Sequence, residues 1–149
     1  MSTEQTTKTP RVVIITGISG AGRRTAAHAV EDLGWYVVDN LPPAMLGALV
    51  DEIAANNIDR LAVVLDVRSR IMFDALGVAV NALDERGIDP AIVFLEASDE
   101  TIVRRQESSR RPLPLQQGGH LLDAVALERR MLSDLRAEAD LVIDTTSVS

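Results

Sequence analysis

Val12-Val13-Ile14-Ile15-Thr16-Gly17-Ile18-Ser19-Gly20-Ala21-Gly22-Arg23-Arg24-Thr25 has the residue types of a loop that cradles phosphate. An apolar, β-rich run leads into glycines framing a short loop, and a helix-compatible stretch follows; the GxxxxGK[ST] motif requires that context. Gly17 and Gly22 fall on its two glycine positions. Glycines let the backbone turn tightly and aim successive N–H groups at phosphate oxygens, and the positive end of the following helix adds to the attraction. The end of the motif departs from the pattern. Arg23 stands where lysine belongs; it keeps the charge but is bulkier, planar and forked. Arg24 stands at the hydroxyl position that normally holds magnesium, which it cannot do, and Thr25 comes one position late. The candidate phosphate contacts are therefore Gly17, Ile18, Ser19, Gly20, Ala21, Gly22, Arg23, Arg24 and Thr25. The displaced metal ligand argues against efficient magnesium-dependent hydrolysis. A glycine-rich turn serving only the fold would have a similar composition.

Other residues could complete such a site. Leu61-Ala62-Val63-Val64-Leu65-Asp66 is an apolar run ending in an acid, the form of a Walker B strand, so Asp66 is the candidate catalytic and magnesium-holding carboxylate. Arg68 follows it closely and can serve a phosphate, a base or a surface ion pair. Asp39, in Asp39-Asn40-Leu41-Pro42-Pro43, ends another apolar run; it is a candidate to orient a substrate or a water, and equally a turn former. Arg104, Arg105, Arg110 and Arg111 cluster where a helix enters a Pro/Gln/Gly-rich loop. They read as favourable charges at a helix end, as a phosphate-clamping lid, or as a docking surface for an anionic partner. Arg129-Arg130 beside Glu128 reads as a solvated helix face. His28 and His120 have no evident catalytic partner.

The elements that must position these residues are legible in the hydropathy pattern. Apolar runs at Arg11–Thr16, Trp35–Asp39, Arg60–Asp66, Ala91–Glu96 and Leu141–Asp144 are mostly unbroken rather than alternating, as in parallel strands covered on both faces. Segments of helical composition alternate with them at Arg23–Leu33, Pro43–Asn56, Phe73–Arg86, Asp99–Arg110 and Leu121–Ala139. The expected fold is α/β: a doubly wound, mainly parallel five-stranded sheet with helices on both faces. Gly34 and Gly87 stand as helix stops, Pro42-Pro43 opens a helix, and Ser98-Asp99-Glu100 supplies a cap and early acids. Residues 1–10 read as a polar, flexible tail and residues 11–149 as one domain, which, ending so soon after its last strand, suggests an excised domain or a partner domain elsewhere.

Composition narrows the function classes. The 149 residues contain no cysteine, which excludes disulfides and thiolate metal sites and fits a reducing cytosol. A net charge of −7 is not that of an obvious nucleic-acid binder. No apolar run approaches membrane-spanning length, and the amino terminus lacks the apolar core of a signal peptide. The expected location is cytoplasmic.

Gly17-Ile18-Ser19-Gly20-Ala21-Gly22 followed by Glu31-Asp32-Leu33-Gly34-Trp35-Tyr36-Val37-Val38-Asp39-Asn40-Leu41-Pro42-Pro43 resembles the RapZ/YvcJ family of nucleotide-binding proteins. Asp66-Val67-Arg68-Ser69, Arg104-Arg105, Arg110-Arg111, Pro114-Leu115 and Ala139-Asp140-Leu141-Val142-Ile143-Asp144-Thr145 continue the similarity, which spans about residues 11–149. The resemblance implies a kinase-like P-loop domain, ATP contacts along Gly17–Arg24, GTP contacts at Asp66, Val67, Arg68 and Ser69, and weak ATPase or GTPase activity. Arginine in place of the lysine is similar to actinobacterial members. The RNase-adapter role of the RapZ branch, with its small RNA and glucosamine-6-phosphate ligands, belongs mainly to a C-terminal domain that this sequence does not include. The leading expectation is a regulatory domain that binds ATP or GTP, with magnesium if it hydrolyses them, and signals to the C-terminal domain, a protein partner or a second copy. The competing expectations are a small-molecule kinase, and a non-catalytic adapter or oligomerisation module.

Overall fold

The computed structural model describes residues 9–18, 20–67, 69–109 and 121–146. Along the chain these form β1 (Arg11–Gly17), α1 (Arg23–Asp32), β2 (Tyr36–Asp39), a 3-10 turn (Pro43–Met45), α2 (Leu46–Ala55), β3 (Arg60–Val64), α3 (Arg70–Glu85), β4 (Ala91–Glu96), α4 (Asp99–Ser109), α5 (Leu121–Glu138) and β5 (Leu141–Asp144). The strands make one five-stranded sheet in the order β2-β3-β1-β4-β5, and every pairing is parallel. The expected doubly wound α/β architecture is therefore the one found.

Most boundaries fall within one residue of expectation, and the larger differences are local. β3 stops at Val64 rather than Asp66, so Asp66 lies on the loop beyond the strand. The second helical segment opens as a 3-10 turn carrying Pro43, whose ring needs no N–H partner at a helix start. α3 begins three residues before Phe73 because Ser69 caps it: its hydroxyl accepts from the Met72 amide at 3.2 Å.

Connection handedness assigns the helices to faces. Only the β1-to-β2 connection runs toward the β2 edge; those from β2 to β3, β3 to β4 and β4 to β5 all run the other way. With right-handed crossovers, α1 lies alone on one face, and α2, α3 and the α4–α5 pair lie on the other. The register agrees. On the many-helix face Val12, Ile14, Leu61, Val63, Ile92 and Phe94 are all buried. On the other face Ile15, Ala62 and Val64 are buried where α1 packs over β1, β2 and β3. No helix among the described residues is long and apolar enough to cross a membrane.

Two details place α1. Past its far end, Trp35 meets the guanidinium groups of Arg11 and Arg60, each 5.9 Å from the ring centroid. At its near end, β1 finishes on Gly17, whose φ is +151°, and a Cβ there would stand 2.2 Å from the Leu95 carbonyl oxygen of β4. Gly17→Ala should therefore destabilise the fold by more than about 2 kcal/mol, because neither backbone can retreat within the sheet. Urea denaturation of the two proteins measures this directly; a loss below about 0.5 kcal/mol would contradict the close approach.

Candidate functional site

β1 sends its connection to one face while its neighbours β3 and β4 send theirs to the other, and in open α/β sheets the ligand crevice lies beyond the carboxyl ends of such strands. The loop after Gly17 occupies this place. Gly20 and Gly22 have φ of +87° and +99°, a region that glycine enters without a Cβ penalty. The Ala21 amide donates to the Ile18 carbonyl at 3.0 Å, and the Ile18 amide to the Leu95 carbonyl at 3.1 Å, so the loop is tied to itself and to β4. Ile18 and Ala21 are buried. As side chains they anchor the loop in the core.

Gly22 is the N-cap of α1, and no side chain caps the helix. Its first turn holds no acid. The early N–H groups of a helix lack internal acceptors, so this end presents donors and the positive pole of the helix. An added Cβ at Gly22 would meet nothing nearer than the Thr145 hydroxyl at 3.9 Å, so the space above the turn is open. The donors and the space suit a polyphosphate. Arg24 and Thr25 lie exposed on this first turn.

Arg23 turns from the loop toward the next strand. Its guanidinium donates to Asp66 Oδ1 at 2.9 Å and more weakly to the Leu65 carbonyl at 3.4 Å. Both partners are largely shielded, with side-chain exposures of 19% and 18%. The residue at the lysine position thus neutralises the acid of the second motif. Val67 is buried just beyond it. Magnesium fits this donor set poorly: Arg24 offers no lone pair, Asp66 is engaged by Arg23, and no group of three His, Cys, Asp or Glu among the described residues can hold a metal. Asp39 is exposed at the end of β2, in register with Val64. The carboxyl edge therefore holds both Asp39 and Asp66. Ser69 is spent as the cap of α3. Ser19, Arg68, Arg110 and Arg111, and with them the Pro/Gln/Gly-rich loop and His120, lie outside the described residues.

The arginine cluster divides. Arg104 is exposed. Arg105 sits well inside α4, where no helix-end charge effect applies, and it braces the phosphate loop from behind. Its Nη1 donates to the Gly20 carbonyl at 2.9 Å and to the Thr145 hydroxyl at 3.1 Å, and its Nη2 donates to the Thr145 carbonyl at 2.7 Å. The Thr145 hydroxyl in turn donates to the Ala21 carbonyl at 2.7 Å, and its amide to the Glu96 carbonyl. Loop, α4 and the end of β5 are one hydrogen-bonded unit.

A second unit corrects the reading of Arg129 as part of a solvated face. Arg129 Nε donates to Asp99 at 2.7 Å and its Nη2 to the Ala97 carbonyl. Arg136 grips Glu96 with two bonds of 2.8 and 3.0 Å. Glu128 is buried. The hydrogen bonds from Arg136 hold the Glu96 carboxyl below the usual glutamate range, with Arg129 adding to the effect. A depressed carboxylate pKa stabilises the fold above the unfolded-state pKa, and the benefit disappears as pH falls through the folded one. Glu96→Gln should lower the melting temperature at pH 7 by about 2–4 °C, corresponding to roughly 1 kcal/mol in a chain of this size. Scans from pH 7 to pH 3 should show the gap closing; a gap that persists at the acid end would mean that packing, not charge, is at stake.

Residues 11–149 match the model of the RapZ-like N-terminal domain. A nucleotide-binding protein of Cutibacterium acnes is 99% identical over 149 residues, which are 100% of this chain and 51% of that protein. One of Streptomyces coelicolor is 55% identical over 142 residues, covering 94% of this chain and 48% of its own length. The chain thus spans about half the length of these relatives. Among solved structures, shikimate kinase from Acinetobacter baumannii in complex with shikimate superposes with a TM-score of 0.61 at 17% identity, over 95% of this chain and 87% of that one. A putative kinase from Chloroflexus aurantiacus gives 0.57 at 16% identity, over 93% and 90%. At such identities the likeness concerns the fold.

Proposed function

The chain belongs to the RapZ-like N-terminal domain family, and from that premise we propose that it is a nucleotide-binding regulatory domain whose loop at residues 17–25 receives the phosphates of ATP or GTP, with weak hydrolysis at most. The observation that carries this reading is the uncapped start of α1 behind a loop of positive-φ glycines, with Arg23 held beside it. The names of the relatives as nucleotide-binding proteins support it.

On this reading the phosphates compete with Asp66 for Arg23. A polyphosphate at the helix start offers Arg23 a more highly charged acceptor, suited to its fork. Asp66 and Asp39, both at the carboxyl edge of the sheet, would orient a water or the nucleotide rather than build a metal site of their own. With Arg24 at the hydroxyl position and Asp66 paired with Arg23, the domain itself offers magnesium little, and hydrolysis is then weak at most. Arg105 joins the loop at Gly20 to Thr145 at the end of β5, and on this reading that brace is the route by which occupancy reaches a second domain or a partner.

Calorimetric titration with ATP and GTP, each with and without magnesium, tests this against Gly22→Asp and Gly22→Asn. Asn and Asp tolerate positive φ better than other side chains, so the pair separates charge from backbone strain. The wild type should bind; Gly22→Asp should weaken binding more than about 100-fold, roughly 3 kcal/mol, and Gly22→Asn distinctly less. Failure of the folded wild type to bind either nucleotide in either condition, or equal binding by Gly22→Asp, would reject a working phosphate site.

A further inference from the structure

The two faces of the sheet are not equally covered. Parallel neighbours in register carry their side chains to the same face, alternating along each strand. Ala91, Val93 and Leu95 of β4 and Leu141 and Ile143 of β5 therefore share the face of α1. α1 packs over β1, β2 and β3 and stops there. Beyond it Ala91 is exposed and Val93 half-buried, while Leu141 and Ile143 are 53% and 38% exposed. On the opposite face of the same strands Ile92 and Phe94 are buried and Val142 is partly covered. Leu95, at the loop end of the α1 face, is buried, so what stays apolar and open there is the strip formed by Ala91, Val93, Leu141 and Ile143.

We infer that this open face is the seat of the polypeptide that follows Ser149 in the longer family members, docked as an amphipathic helix beside α1. Three observations select that occupant. The 99%-identical relative is about twice as long as this chain, and the match is to an N-terminal domain, so its further residues continue from the end of β5. β5 is the edge strand, so a connection that returns over the sheet runs toward β4 and β1, the same sense as β1 to β2; right-handedness puts it on the α1 face. The space is also of the right width. Strands about 4.8 Å apart place the β4–β5 strip roughly 10–12 Å from the strands under α1, and packed helices lie about 8–10 Å apart. The continuing segment leaves from Thr145, which Arg105 ties to the phosphate loop, but the docking itself does not depend on nucleotide binding.

Thiol labelling in the longer polypeptide decides it. The 149-residue chain has no cysteine, so Leu141→Cys, Ile143→Cys and, as an exposed control on α3, Val78→Cys are read site by site by peptide mass spectrometry. In the native longer protein, positions 141 and 143 should label more slowly than position 78 by on the order of tenfold or more, and all three alike in urea. In the 149-residue chain positions 141 and 143 should label about as fast as position 78. Equal rates at all three positions in the native longer protein would overturn the inference. Protection that disappears on dilution would also overturn it, since a second copy would then be the cover. If a cysteine variant fails to fold, hydroxyl-radical footprinting of the wild type replaces it: Leu141 and Ile143 should be protected relative to Ile71 and Val78, and equal oxidation would overturn the inference.

Discussion

Nothing larger than a hydrogen fits between Gly17 and the Leu95 carbonyl of β4. That approach lets β1 end against its neighbour, hand the Ile18 amide to the same carbonyl, and turn at once into a loop whose floor is the core. The loop then has to rise toward the carboxyl edge and feed α1 with its first turn uncapped. A wider residue at position 17 would push the strand ends apart, and with them the spacing between Arg23 on α1 and Asp66 beyond β3. The geometry of the site is inherited from a contact inside the sheet.

Around the loop, an acidic chain concentrates arginines whose charges are already committed. Arg23 meets Asp66, Arg129 meets Asp99, Arg136 meets Glu96, and Arg105 is spent on backbone carbonyls. These engagements differ in character. Glu96 and Arg136 form a two-pronged pair that a ligand would gain little by breaking. Arg105 braces main chain that would otherwise present buried carbonyls without donors. Arg23 reaches Asp66 with one bond of 2.9 Å at the mouth of the loop, without the two-pronged geometry of the Glu96 pair.

The sheet is legible in the sequence because a strand covered on both faces has no polar side to alternate with, and the unbroken runs of β1, β3 and β4 say so. The phosphate loop is legible because glycine spacing is a local property of the chain. The brace behind it is not. Thr145 and Arg105 are 40 residues apart, and their bonds run largely from a side chain to main chain, which no composition records. Pairing Arg129 with adjacent Glu128 misleads, because consecutive helix residues point away from each other; the partners of Arg129, Asp99 and Ala97, belong to the end of β4 and the start of α4. Ser69 suggests a ligand contact by resemblance, yet a serine followed by a helical run is also a cap, and both readings come from the same hydroxyl.

Trp35 gives the domain an optical property of its own. It is the sole tryptophan, and it stands beside two guanidinium groups just past the end of α1 opposite the glycine loop. A ten-residue helix is about 15 Å long, and the Trp35 amide is bonded back to the Val30 carbonyl, so the indole sits where the far end of the helix meets β2. Arg11 and Arg60 are anchored on adjacent strands and stay with the sheet. Both charges lie 5.9 Å from the ring centroid, so a shift of the ring relative to them changes the field across its excited state, and the emission of the sole tryptophan reads the junction of α1 with β2 without a label.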